Sequence, residues 1–136
     1  MHTILLPPGW PRPRGYANGI AAEGRLVLTG GVIGWDERER LVCDTLASQF
    51  AQVLKNTLAI LAEGGAGPEH IVRMTWYITS RDEYLAELPA IGAAWREIIG
   101  RNFPAMAVVQ VAGLIEAAAK IEIETTAVVG PTVSEA

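Results

Sequence analysis

One amphipathic helix constrains the fold of this chain more than any other segment. Over residues 45–63 the larger apolar side chains recur at three- and four-residue spacings, which predicts a helix with a single apolar stripe. Asp44 or Thr45 can cap its first turn, and Gly64-Gly65 can end it. The stripe consists of Leu46, Phe50, Val53, Leu54, Leu58 and Leu61. Such a helix needs an apolar surface to pack on, so the rest of the chain must supply one.

The segment that follows has the two-residue period of a β-strand. Residues 71–79 are rich in β-branched and aromatic side chains, and apolar positions such as Met74 and Trp76 alternate with Arg73 and Thr75. Two more strands are predicted at 106–111, after Pro104, and at 119–129. These strands supply the surface that the helix requires.

The remaining segments complete the predicted order of elements. A second helix is predicted after Ser80, interrupted or restarted at Pro89 and closed by Gly100. The proline-rich segment 1–13 is typical of an ordered, extended coil that forms neither helix nor ladder. A hairpin is predicted over residues 20–29, with Gly24 in its turn.

This order of elements predicts one α+β domain that spans residues 1–136. A mixed sheet with both helices on one face fits the sequence of hairpin, helix, strand, helix, strand and strand. A chain of 136 residues is too short for two independent cores. The other face of the sheet then needs a cover, and with 50% hydrophobic residues self-association is a reasonable source of it.

Composition argues against several partners. The net charge is −4 and no run of Lys or Arg could follow a phosphate backbone, so nucleic acid is not expected as a partner. Cys43 is the single cysteine, which rules out an internal disulfide, and we expect a reduced, cytoplasmic setting. No segment has the length of a membrane span, and residues 1–13 do not read as an export signal, so no membrane partner is expected.

Familiar cofactor and catalytic motifs are absent from the sequence. There is no phosphate-binding Gly-Lys-Ser/Thr loop and no nucleophile elbow, and the glycines of segment 29–34 have the wrong spacing for a dinucleotide. His2 and His70 stand in a terminus and a loop, so a metal site is not expected either. We therefore predict neither a cofactor nor a metal.

Short motifs in the right order along nearly the whole chain carry a family resemblance. They are Gly15-Tyr16, Leu28-Thr29-Gly30, the helix segment from Gln49 to Asn56, Val72 to Tyr77, Phe103-Pro104-Ala105, and Lys120-Ile121-Glu122-Ile123-Glu124. Together they resemble the Rid family of reactive intermediate deaminases, also called YjgF-like proteins. The resemblance implies a chorismate-mutase-like fold and a homotrimer with three sites at its subunit interfaces. It also implies hydrolysis of enamines and imines derived from amino acids to 2-oxo acids and ammonia.

The chain departs from the family at the position that matters most for this activity. Met106 stands where the resemblance implies an arginine that binds the substrate carboxylate, and Pro89 replaces a family asparagine. A thioether cannot replace the paired, charge-assisted hydrogen bonds of a guanidinium. Tyr16, Gly30 and Glu122 match the family pattern. The standard activity on small 2-imino acids is therefore not expected.

We predict a site around Glu122, which would polarise a water for attack on a C=N carbon. Backbone N–H groups near Gly30 and Val108 would act as fixed dipoles. This site requires segments 103–107 and 120–124 to lie on neighbouring strands, so that Met106 and Glu122 share one cleft between chains. The predicted ligand contacts are Arg14, Tyr16, Gly30, Gly31, Trp35, Met106, Ala107 and Val108. Alternatively, Glu122 is a solvent-facing strand residue, and Tyr16 and Met106 only fill space.

The tryptophans and two arginines suggest how the site could have changed. Trp10, Trp35 and Trp76 would suit a more apolar or aromatic ligand, and Arg12 or Arg14 could meet its anionic group from a new direction. Alternatively, the tryptophans close a subunit interface and the arginines are solvated.

Three functions remain open from the sequence. The first is hydrolysis or deamination of an enamine or imine that is larger or more apolar than amino-acid-derived 2-imino acids. The second is a noncatalytic trimer that binds a small metabolite in the same cleft. The third is a ribonuclease activity, against which the acidic balance argues.

Overall fold

The computed structural model describes residues 2–41 and 43–131, which form one α+β unit. None of the helices in these two ranges is both long and apolar enough to cross a membrane. A single turn of 3₁₀ helix, Pro68–His70, precedes β4. The strands and helices are β1 Thr3–Leu5, β2 Gly19–Ala21, β3 Arg25–Leu28, α1 Leu46–Glu63, β4 Ile71–Ile78, α2 Arg81–Ala86, α3 Leu88–Ile98, β5 Ala105–Gln110 and β6 Ile121–Val129.

Helix α1 begins and ends where the sequence predicts. The Thr45 side chain accepts a hydrogen bond from the Ser48 N–H, and the Ser48 hydroxyl oxygen accepts one from the Thr45 N–H. Gly64 ends the helix. Five of the six stripe residues are fully buried and Leu58 is half-buried, so the predicted stripe is the surface that packs on the sheet.

The main sheet has the strand order β3-β6-β4-β5. Strands β4 and β5 are parallel and are connected through α2 and α3, whereas β6 is antiparallel to both β3 and β4. Alternate residues of β4, including Met74 and Trp76, are buried against the helices. The Trp76 ring lies 4.7 Å from that of Phe50 and 5.8 Å from that of Trp95. The predicted mixed sheet with its helices on one face is confirmed.

A buried glutamine joins α1 to the segment that precedes β6. The Gln49 amide nitrogen donates to the carbonyl oxygens of Cys43 and Ala118, each at 3.1 Å, and its oxygen accepts from the Lys120 N–H at 2.8 Å. Because Gln49 is only 1% exposed, these three backbone groups depend on it. It fixes where β6 starts relative to the helix.

The predicted hairpin over residues 20–29 is wrong. Strand β2 pairs with β1 in a separate two-stranded sheet, and β3 pairs with β6. Gly24 has a φ of +143°, and a Cβ there would stand 2.0 Å from the carbonyl oxygen of Val129. Glycine is required at position 24 because the chain passes so close to the end of β6, and not because a hairpin turn needs it. Residues 3–5 also form a strand, although the sequence predicts coil before the prolines.

The prediction that β5 and β6 are neighbours is also wrong. Strand β4 lies between them, with Met74 opposite Met106 on one side and opposite Thr125 on the other. Strand β4, like β6, is an inner strand of the sheet: it is paired at both edges, and the helices cover one of its faces. This order separates the two segments on which the predicted site depends.

Candidate functional site

Two cavities lie at opposite edges of the main sheet. The first, here called the tryptophan cavity, lies under α3 beside β4 and β5, with a volume of about 620 Å³. The second, here called the acidic cavity, lies beyond β3 and β6 against α1, with a volume of about 550 Å³. The tryptophan cavity is lined by Arg14, Tyr16, Trp76, Trp95, Arg96, Phe103, Met106 and Val108, among others. The acidic cavity is lined by Gly31, Trp35, Asp36, Asn56, Ile115, Glu116 and Glu122, among others.

Strand register builds the floor of the tryptophan cavity. Met106 lies opposite Met74 and Val108 lies opposite Trp76, so all four side chains share the helix face of the sheet. The Ala17 N–H donates to the carbonyl oxygen of Pro104 at 3.0 Å. This bond places the preceding residue, Tyr16, beside the start of β5.

The tryptophan cavity contains buried polar groups as well as apolar ones. Trp76 and Trp95 are 3% and 7% exposed, and no acceptor in the described residues pairs with either indole N–H. Burial raises the pKa of Tyr84, which also lines the cavity, so its phenol is neutral. The cations of the lining are Arg14 and Arg96, and neither forms a salt bridge within the described ranges.

Backbone hydrogen bonds fix the walls of the acidic cavity. Val32 and Ile123 exchange backbone hydrogen bonds of 2.8 and 2.9 Å, which attach segment 29–36 to the edge of β6. The Asn56 amide donates to the carbonyl oxygens of Ile33 at 3.1 Å and Trp35 at 2.7 Å. Helix α1 therefore determines the position of Trp35.

Glu122 lines this cavity and is half-buried. A Cβ added at Gly31 would stand 2.6 Å from Oε2 of Glu122, so the carboxyl group lies against the glycine backbone. Gly30 and Gly31 fall between two backbone bonds to β6, from Thr29 and Val32, and their own N–H groups meet no backbone carbonyl of the described chain. The arrangement places a carboxylate against the backbone of Gly31.

Within one chain the structure does not bring Met106 and Glu122 together. Glu122 lies opposite Tyr77 on the sheet face away from the helices, here called the open face. Met106 lies opposite Met74 on the helix face, so the predicted juxtaposition of the two side chains by adjacent strands is wrong. A cleft shared between chains stays a prediction. Ala107, in register with Thr75, is also on the open face.

The other predicted site residues divide between the two cavities. Arg14, Tyr16 and Val108 join Met106 in the tryptophan cavity, and Gly31 and Trp35 join Glu122 in the acidic cavity. Arg12 lies elsewhere, against a third cavity formed with β1, and Trp10 is exposed. Gly30 is next to Gly31 but lines neither cavity.

Sequence reasoning missed Trp95, Arg96 and Asn56 as site residues. Asn56 lies on the polar side of the α1 stripe, where an exposed surface residue gives the same pattern. A Cβ at Gly92 would lie 3.4 Å from Nη1 of Arg96, so the guanidinium lies against this turn of α3 beside the cavity. The sequence signal for the position of Arg96 is Gly92, which stands four residues before it and leaves space for the guanidinium.

The open face carries a second pair of polar side chains close to Glu122. The Tyr77 hydroxyl donates to Oε1 of Glu124 at 2.6 Å. This hydrogen bond raises the pKa of Tyr77. Glu124 therefore has a partner on its own sheet, which distinguishes it from Glu122.

The fold of this chain is similar to that of several small α+β proteins of known structure. A Rid protein from Yersinia pestis, YyfB, superimposes with a TM-score of 0.81 at 27% identity, covering 94% of this chain and 98% of that one. RidA from an Antarctic Psychrobacter superimposes with a TM-score of 0.67 at 26% identity, covering 88% and 93%. Protein DfrA of Myxococcus xanthus is 31% identical over 119 residues, 83% of this chain and 84% of DfrA.

Residues 11–129 match the family described as endoribonuclease L-PSP. The chain therefore belongs to this family, which includes the Rid and YjgF proteins. The resemblance drawn from the sequence motifs is confirmed.

Proposed function

We propose that this protein hydrolyses an enamine or imine larger or more apolar than the 2-imino acids derived from small amino acids. The reaction takes place in a cleft of a homotrimer, where the tryptophan cavity of one subunit faces the acidic cavity of the next. The observation that carries this proposal is the placement of the two half-sites at opposite edges of one sheet. Family membership supports the same arrangement.

Opposite edges are the geometry that a closed ring needs. When two different surfaces of a chain meet head to tail, a rotation that closes gives a cyclic oligomer. The charges are complementary, because Arg14 and Arg96 line one cavity whereas Asp36, Glu116 and Glu122 line the other. Large apolar side chains are exposed on the strands and loops that such a ring would cover: Leu26, Leu28, Val109 and Ile115.

Glu122 supplies the general base of the proposed reaction. Its carboxylate accepts a proton from water as the water oxygen attacks the C=N carbon, and the nitrogen is protonated in turn. The C–N bond then breaks, ammonia leaves and a carbonyl product forms, so one water is consumed per imine. Gly31 lies beside the carboxyl group, and its N–H, which meets no backbone carbonyl of the described chain, is available to polarise the water or the substrate.

Met106 determines which substrates are excluded. Its thioether occupies the helix-face position next to Tyr16 where active relatives would present a guanidinium, and it offers a small carboxylate no hydrogen bond. The same side chain adds to an apolar wall with Phe103 and Ile91. A bulky apolar group therefore gains contacts here that a methyl group does not.

The test compares imines generated in place by an amino-acid oxidase, with ammonia release followed with and without this protein. We expect little acceleration with the imines of alanine and 2-aminobutyrate, and clear acceleration with those of leucine and phenylalanine. Glu122→Gln should lower the accelerated rate by about a hundredfold or more. Glu124→Gln is the matched control, because Glu124 shares the strand and face of Glu122 but bonds Tyr77.

Each outcome decides between the candidate functions. Saturable binding of these compounds without any acceleration would favour the noncatalytic metabolite-binding trimer. Full activity of Glu122→Gln would remove Glu122 from the mechanism. Rapid turnover of the alanine imine would show that another cation replaces the missing arginine.

RNA cleavage is a weaker candidate for this chain, although the family is described as an endoribonuclease. The net charge is −4, and the open face presents Glu122 and Glu124, which repel a phosphate backbone. The proposed setting is the cytoplasm, where the single Cys43 stays reduced. Incubation with structured and unstructured RNA should leave both intact.

A further inference from the structure

The chain that runs along the edge of β6 contains one residue more than the part of β6 that it faces. Leu28 lies opposite Thr126, and Val32 lies opposite Ile123. Between these two pairs the edge segment takes four steps and β6 takes three, which defines a β-bulge within residues 29–31. A bulge turns backbone groups out of the sheet ladder, so these residues can serve a purpose other than strand pairing.

The side chain of Thr29 closes the ladder where the bulge begins. The Thr29 N–H donates to the carbonyl oxygen of Thr125 at 2.9 Å. In a regular antiparallel pair the return bond runs from the Thr125 N–H to the Thr29 carbonyl oxygen. Here the Thr29 hydroxyl oxygen accepts that bond, at 3.1 Å. The hydroxyl therefore replaces a backbone acceptor of the ladder.

The same hydroxyl determines the orientation of the next peptide group. It donates its proton to the carbonyl oxygen of Gly30 at 2.8 Å, while its lone pair accepts from Thr125. The Gly30 carbonyl and the Gly31 N–H belong to one planar trans peptide, in which the two groups point in opposite directions. Because the oxygen is held toward Thr29, the Gly31 N–H is directed away from it.

This N–H belongs to a residue of the acidic cavity. Gly31 and Glu122 both line the cavity, and a Cβ on Gly31 would stand 2.6 Å from Oε2 of Glu122. Gly31 is exposed, and its N–H meets no backbone carbonyl of the described chain. A donor and a carboxylate placed this close together can share one water, which accepts from the N–H and donates to the carboxylate.

We infer that Thr29 is a positioning residue of the acidic cavity. Its hydroxyl holds the Gly30–Gly31 peptide in one orientation, in which the Gly31 N–H orients the water that Glu122 deprotonates. Thr29 itself does not line the cavity and acts through this peptide. The inference rests on the proposed function, and it deepens that function by naming the residue that holds the backbone donor in place.

Removal of the hydroxyl tests this role in the full-length protein. Thr29→Val keeps a side chain of similar volume, and ammonia release from the phenylalanine imine should fall about tenfold to a hundredfold. Thr29→Ser keeps the hydroxyl and should retain the rate within about threefold. Thr126→Val makes the same change on β6, opposite Leu28, and as the matched control should leave the rate unchanged. An equal loss in Thr29→Ser would assign the effect to the methyl group and overturn the inference.

Amide resonances of the isotopically labelled protein report on the peptide itself, without any substrate. In Thr29→Val the Gly31 resonance should shift or broaden, because the peptide is free to change orientation. The Val32 N–H, which bonds Ile123, should keep its protection from hydrogen exchange. An unchanged Gly31 resonance would overturn the inference. Loss of protection at Val32 would overturn it as well, since the hydroxyl would then only close the sheet.

These measurements separate the inference from the proposed function. If the unmodified protein hydrolyses no imine, the proposed function fails, whereas the resonances still show whether Thr29 holds the peptide. If it does hydrolyse the imine and Thr29→Val is fully active, the inference alone fails.

Hydrogen exchange in the unmodified protein tests the inference even if Thr29→Val does not fold. The Gly31 N–H should give one sharp resonance and exchange faster than the Val32 N–H. Protection of Gly31 equal to that of Val32 would mean that this N–H has a partner of its own, and it would overturn the inference.

Discussion

The carboxyl group of Glu122 lies directly against Gly31, at a distance that no other residue at this position allows. A Cβ on Gly31 would stand 2.6 Å from Oε2 and 2.8 Å from Cδ of Glu122. By contrast, a Cβ on the adjacent Gly30 would meet nothing within 4 Å. Two neighbouring glycines thus provide a test of the acidic cavity and its control.

Gly31→Ala should move the Glu122 carboxylate and lower the rate of imine hydrolysis. Because a displacement of about 1 Å in a reacting group can cost up to a hundredfold, we expect a loss of at least about tenfold. The end of a glutamate side chain can rotate away, so the free energy of unfolding should fall by less than about 1 kcal/mol. Steady-state kinetics and urea unfolding measure the two effects.

Gly30→Ala should keep the rate within about twofold, since its Cβ has open space. In the Glu122→Gln background, Gly31→Ala should cause no further loss, because both changes remove the same carboxylate function. Additive losses in the double variant would mean that Gly31 acts by another route.

Gln49→Leu should destabilise the fold, although leucine is apolar and similar in size to the buried glutamine that it replaces. It leaves the carbonyls of Cys43 and Ala118 and the N–H of Lys120 without their partner. We expect the free energy of unfolding to fall by about 2–4 kcal/mol in urea titrations. Lys55→Ala, at an exposed position of the same helix, should change it by less than about 0.5 kcal/mol.

The phenol of Tyr77 should titrate above the ordinary value of 10.0, because its hydrogen bond to Glu124 raises its pKa. The folded state then holds the proton more tightly than the unfolded state. The stability that this bond contributes is therefore fully present below pH 10.0 and is lost as pH rises through the raised pKa. Phenolate absorbance, with Tyr77→Phe to identify the transition, measures the shift.

Glu124→Gln should bring the Tyr77 transition back toward 10.0, since the charge next to the phenol is removed. An unchanged transition in this variant would contradict the role of Glu124.

Ile115→Glu should convert the proposed trimer to single chains. Ile115 is fully exposed in the isolated subunit and lines the acidic cavity, where a further carboxylate beside Glu116 and Glu122 would oppose association. Light scattering on a sizing column should give the mass of three chains for the unmodified protein and of one chain for the variant. Leu85→Glu, on the exposed side of α2, is the control and should remain trimeric. A single-chain mass for the unmodified protein would remove the basis of the shared cleft.

Local patterns explain why the helices and most strands could be predicted. The α1 stripe with its Thr45 cap and the alternation of β4 depend on residues close in sequence, so each pattern identifies its element without knowledge of the fold. Ser80 caps α2 as predicted, and the helix restarts near Pro89. The family motifs extended this reading to the correct fold.

Pairing partners could not be predicted in the same way. Strand β3 has the same local signal whether it pairs with β2 or with β6, and Gly24 suits a turn as well as a close backbone approach. For the same reason, the prediction that Met106 and Glu122 lie on adjacent strands is wrong. Strand β4 lies between their strands, and the register of each with β4 puts them on opposite faces. Within one chain the predicted site residues therefore fall into two separate cavities, and their role in a site stays a prediction.

The sequence by itself determined the α+β class, the helix bounds and the family of this protein, because each rests on short-range periodicity or on motifs in order. Only the tertiary structure decided that Trp76 and Trp95 line one cavity with Met106, and that Glu122 lies against Gly31 at the other edge of the sheet. These relationships join residues far apart in the chain. They are set by the sheet register and by packing against the helices, which no local pattern records.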